Sequence, residues 1–136
     1  MNEKTIVERV VNVLSDIENL NVQSVMDFQT PREDNQCVVG ITSTTQINEG
    51  AQVPDYEYRM QILIDCSIPE DDSGDEFFAL CSEVKMRLLP FELNNSQLQT
   101  LFGNLPIVYF QFIDQVFSTS DHSNICTLNY RIIGSY

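Results

Sequence analysis

Tyr56-Glu57-Tyr58-Arg59-Met60-Gln61-Ile62-Leu63-Ile64-Asp65-Cys66-Ser67-Ile68 decides the fold. Tyr56, Tyr58, Met60, Ile62, Ile64, Cys66 and Ile68 fall at every second position, and Glu57, Arg59, Gln61, Asp65 and Ser67 fall between them. A period of two belongs to a strand, whose successive side chains point to opposite faces of a sheet. One face is therefore core, and the other is wet or meets another subunit. Leu63 alone breaks the alternation.

Upstream, Cys37, Val39 and Ile41 alternate into the threonine-rich stretch Thr42–Thr45 and end at Ile47. Asn48-Glu49-Gly50-Ala51-Gln52-Val53-Pro54-Asp55 is polar and holds both Gly and Pro, which predicts the loop of a long hairpin. A weaker alternation at Val22, Ser24, Met26 and Phe28 predicts a preceding strand, followed by the polar connection Thr30–Asn35. The chain opens with a helix: Ile6, Val7, Val10, Val11, Leu14 and Ile17 recur at helical spacing. Its cap is either Thr5, in a capping box with Glu8, or Asn2 one turn earlier.

Downstream, Pro69 stops the strand and Ser73 caps a second helix, with Glu76 completing a capping box. Phe77, Leu80, Cys81, Val84 and Leu88 form its apolar stripe. Lys85 and Arg87 complement the dipole in its last turns, and Pro90 ends it. Residues 91–106 read as irregular, with a short helical turn at Gln97–Phe102. Ile107–Phe117 and Ile125–Ile133 form a closing hairpin around the polar Ser118–Asn124 loop. The expected order is α-β-β-β-α-β-β. It predicts one α+β domain over residues 1–136, with a mostly antiparallel sheet and two helices packed on one face.

The charge balance is the strongest compositional signal. Seven Lys+Arg against twenty Asp+Glu give a formal −13. Such a surface repels phosphate backbones and anionic membranes, and no basic stripe interleaved with aromatics offsets it. Tight nucleic-acid binding is not expected. No apolar run approaches the roughly 20 residues of a membrane span, and Met1-Asn2-Glu3-Lys4 lacks the pattern of a signal peptide.

Cys37, Cys66, Cys81 and Cys126 stand 29, 15 and 45 residues apart. That spacing is not the short paired one of a zinc or redox motif, so buried thiols are favoured over disulfides or a metal, in a reducing compartment such as a cytoplasm. His122 is the only histidine and lies in a polar loop without a catalytic partner. The carboxylates Glu70, Asp71, Asp72, Asp75 and Glu76 lack calcium-loop spacing, and a helix start explains them more simply. No phosphate-binding glycine pattern and no nucleophile elbow occurs. Tyr109, Phe110, Phe112 and Phe117 are expected in core and interface packing rather than base stacking. The expectation is a non-enzyme with neither cofactor nor metal, which acts through its surfaces.

The strand–strand–helix arrangement of Cys37–Leu89, preceded by an N-terminal helix, resembles the tail terminator proteins of long-tailed bacteriophages. The resemblance lies in element order, length and character and covers nearly the whole chain. It implies a virion structural protein, made in a bacterial cytoplasm, that forms a ring joining the tail tube to the head. Its partners would be itself, as a hexamer in the assembled state, and neighbouring tail-tube and neck proteins, with DNA passing through but not held.

That reading gives the acidity a role. DNA carries about one negative charge per 1.7 Å of axis, and a carboxylate-rich opening repels it. Six copies would carry six times −13, a formal −78. Closed rings use heterologous contacts, so the hairpin tip and the exposed face of the third strand are the expected interface. The candidate residues are Asn48, Glu49, Gly50, Ala51, Gln52, Val53, Asp55, Glu57, Arg59 and Gln61. The alternative is an acidic, dimeric secretion chaperone of the type III kind, which the chain is similar to in length, charge and helix–strand order. Such chaperones finish with a further helix, whereas this sequence finishes in strand-like residues.

Overall fold

The computed structural model describes residues 2–25, 35–48, 50, 54–67, 74–88, 95–119 and 123–135. Helix α1 (Glu3–Leu14) leads into strands β1 (Asn21–Ser24), β2 (Gln36–Gln46) and β3 (Asp55–Ser67). Helices α2 (Asp75–Leu88) and α3 (Asn95–Phe102) follow, then strands β4 (Ile107–Thr119) and β5 (Ser123–Ser135). The strands form one sheet in the order β1-β2-β3-β5-β4. All neighbours are antiparallel except β1, which pairs parallel to β2 through Asn21↔Gln36 to Ser24↔Val39. The expected α+β architecture is what the chain adopts, with the helices on one face of the sheet.

Alternation on β3 sets the layers. Tyr58, Met60, Ile62, Ile64 and Cys66 are buried beneath the helices. In the middle of the sheet, Ile62 stands between Val39 on β2 and Leu128 on β5, and all three are sealed from solvent. Burying a side chain of that kind contributes about 1.5–3 kcal/mol. From above, α1 supplies Ile6, Val7, Val10 and Leu14, and α2 supplies Phe77, Leu80, Cys81, Val84 and Leu88.

The caps settle questions that spacing left open. Asn2 caps α1, its side-chain oxygen accepting from the Thr5 amide at 3.0 Å. Ser73, Pro69 and Pro90 lie outside the described residues, as do Met26 and Phe28 of the first strand, carboxylates 70–72 and His122. The helical turn expected at Gln97–Phe102 is a helix two residues longer, α3. Gly103 ends it in the left-handed region (φ +63°), its amide donating to the Gln99 carbonyl at 2.7 Å. The Arg9 guanidinium of α1 donates to the Leu101 carbonyl at 2.8 Å, placing positive charge where the α3 dipole is negative.

Candidate functional site

Helices cover one face of the sheet; the odd-numbered side chains of β3 and β5 look out from the other. Five candidate residues, Asn48, Asp55, Glu57, Arg59 and Gln61, are tied into hydrogen-bond and ion-pair networks. At the hairpin mouth, the Asp55 amide donates to Asn48 Oδ1 at 2.5 Å, and Asn48 Nδ2 donates to Asp55 Oδ2 at 3.0 Å. The other Asp55 oxygen accepts from Ser135 Oγ at 2.7 Å, fastening β3 to β5. Gly50 is exposed with φ +85°. Glu49, Ala51, Gln52 and Val53 lie outside the described residues.

Glu57 is the centre of the first charged network. Its Oε1 accepts from Arg59 at 2.8 Å and from Arg131 Nε at 2.6 Å, and its side chain is only 15% exposed. Arg59 and Arg131 are direct register partners on β3 and β5, so Glu57 neutralises what would be a like-charge pair. Arg131 also lies over the Tyr109 ring, 5.7 Å from its centroid. One row further, Gln61 Nε2 donates to Asn129 Oδ1 at 3.4 Å, and Asn129 Nδ2 donates to Asp114 Oδ1 at 2.7 Å. Polar groups on this face satisfy one another across β3, β5 and β4, so the surface is held in one shape.

Leu63, the exception in the alternation, also faces this side. With Val25, Val38, Gly40, Ile41, Thr42 and Gln61 it lines an apolar groove of about 330 Å³. Gly40 leaves room for Val25 there, because a Cβ in its place would meet Val25 Cγ1 at 3.0 Å. The expected aromatics divide. Phe110 is buried and stacks on Tyr130 (5.1 Å between centroids), and Phe112 packs edge-on to the same ring (5.6 Å). Tyr109 and Phe117 are exposed, and Phe117 meets the exposed Phe78 of α2 edge-on at 5.5 Å.

All four cysteines are buried thiols of the core. Cys37 and Cys126 flank Ile64 in one cross-strand row, and Cys81 of α2 hydrogen-bonds Cys126. Burial, aided by the neighbouring Cys126 and Cys66, pushes the Cys37 thiol up to about 12. The hydrogen bond to Cys126, together with burial, holds the proton on Cys81 well above the ordinary thiol range. Spacings of 29, 15 and 45 residues gave no hint of this convergence. Tyr130, which alternates with Cys126, Leu128 and Ile132 on the core face of β5, has a buried hydroxyl with no hydrogen-bond partner among the described residues. Burial pushes its pKa above the ordinary phenol value and so suppresses its ionisation.

Among the described residues no group of three or more His, Cys, Asp or Glu side chains is placed to hold a metal ion. No helix among them is long and apolar enough to cross a membrane. The chain matches no protein-family model and no curated protein.

Proposed function

We propose that the protein is a structural assembly component of the tail-terminator kind, whose copies join in a closed ring through which DNA passes without being held. One observation carries the reading: among the described residues no helix covers the second face of the five-stranded sheet, and Glu57, Arg59, Arg131 and Asp114 there are engaged with neighbours on the same face. A rigid surface of that kind suits recognition by fit. The formal −13 of each copy makes a phosphate backbone an unwelcome occupant of any opening the copies enclose. The ring would be a hexamer in a virion, in contact with tail-tube and neck proteins.

The test is molar mass across a concentration series, with negative-stain images of the largest species. Rings that fail to retain duplex DNA at low salt support the proposal. Glu49→Lys reverses charge in the hairpin without touching the Asn48–Asp55 clasp, and is expected to weaken ring formation. A chain that stays monomeric, or rings that bind DNA tightly, would count against it.

The dimeric chaperone reading draws support from Phe78 and Met86 of α2 and Phe117 of β4, three exposed apolar side chains. A tight dimer that captures an unfolded segment would favour it instead.

A further inference from the structure

The sheet has two open margins. β1 covers β2 only from Gln36 to Val39, so beyond it the outer edge of β2 carries no partner strand among the described residues. On the opposite side, β4 is the last strand, paired through β5 alone. Its bulges fall between Ile107 and Tyr109 and between Phe112 and Asp114, leaving Asp114–Thr119 in regular register. Unpaired strand edges present rows of amide and carbonyl groups, which natural proteins usually blunt with charge. Here charge is missing. β2 contains no charged residue, and β4 contains only Asp114, which Asn129 already engages. On a chain of −13, joining β4 to β2 sets no carboxylate of one strand against a carboxylate of the other; β1 is uncharged too, but is only four residues long.

We propose that the Asp114–Thr119 edge of β4 pairs with the Ser43–Gln46 edge of β2 in a second copy, continuing the sheet head to tail. Three features favour that occupant. Both halves of the joint are present on every copy, so the contact is heterologous and repeats around a ring. The strands match in direction: β2, β3, β5 and β4 are successively antiparallel, so β4 and β2 run opposite ways and meet as an antiparallel pair.

The stagger also fits closure. Through the register, Asp114 stands level with Gln61 and Thr119 with Cys66, whereas Ser43 is level with Arg59 and Gln46 with Tyr56. Joining the two edges shifts each copy by about six residues, or about 20 Å along the strands. From one joint to the next lie four strands, β2, β3, β5 and β4, about 19 Å wide, so the strands would tilt by about 46° to the ring axis, at the upper end of the range of closed sheets. Val116 and Thr45 would then neighbour each other, both on the uncovered face.

The proposal rests on the reading that copies assemble, and its test separates the two. Val116→Cys and Thr45→Cys, singly and together, are treated with a short bis-maleimide; the four native thiols are buried. The expected result is a ladder of linked chains in the double variant and none in either single variant. Hydrogen exchange of the unmodified protein should slow at residues 115–119 and 43–46 as concentration rises. Val116→Lys should raise the concentration needed for association by about tenfold, or about 1.4 kcal/mol. Pairwise linking by Val116→Cys alone would mean symmetric pairing and overturn the head-to-tail joint. Rings that form with no ladder and unchanged exchange would overturn the joint and leave the ring standing. A chain monomeric throughout the series would overturn both.

Discussion

Arg131 and Glu57, 74 positions apart in the chain, meet on adjacent strands with Arg131 Nε 2.6 Å from Glu57 Oε1. Arg59 reaches the same oxygen at 2.8 Å, so one half-hidden carboxylate holds two guanidiniums that the register sets opposite each other. Replacing Glu57 by Gln removes the neutralising charge and leaves the two cations facing. The expected cost is about 1.5–3 kcal/mol in urea unfolding. Adding Arg131→Gln should recover part of it, and additive losses would show that the three residues are not coupled.

Tyr130→Phe should go the other way. The phenol is fully buried with no partner for its hydroxyl among the described residues, so its oxygen is desolvated without compensation from them. The variant is expected to be as stable as the parent, or up to about 1 kcal/mol more stable. A loss larger than that would reveal a hydrogen bond to the Tyr130 hydroxyl.

Alkaline pH should weaken the fold through its thiols. Cys37 keeps its proton to about 12 when folded, against 9.0 for an ordinary thiol. Above 9.0 the unfolded chain releases a proton that the folded chain still holds. Stability is therefore fully present below that value and declines as pH climbs toward 12, by about 1.4 kcal/mol per pH unit for this one group. Urea midpoints across the alkaline range measure the slope, and Cys37→Ala should flatten part of it.

Gly40→Ala should cost about 1–3 kcal/mol, because the added methyl is driven into Val25. Val25→Ala in the same chain clears the space, so the double variant should be more stable than Gly40→Ala alone. Failure of that rescue would place the constraint in the backbone.

What could be read from the linear chain was whatever local periodicity carries. The alternation of Tyr56–Ser67 placed the core face correctly, and the helical spacing of Ile6, Val10 and Leu14 placed α1. Leu63 was visible only as an anomaly; its groove needed Val25 and Val38, which come from other strands. The parallel pairing of β1 was not legible, because four residues carry too little alternation to set a direction. Of the ten interface candidates, Asn48, Asp55, Glu57, Arg59 and Gln61 are joined in networks with each other or with β5, and spacing alone gave no sign of those partners. The thiol convergence was invisible for the same reason: a contact across 45 residues leaves no mark in composition.

β5 is synthesised after β4 yet lies between β3 and β4. A growing chain that has emerged from the ribosome only as far as Thr119 has no strand on which to seat β4, because β5, its one strand partner among the described residues, is still unmade. The centre of the sheet closes last, once the Tyr130 segment has been threaded against β3. Copies cut short before that strand cannot seat β4 against its partner in the sheet.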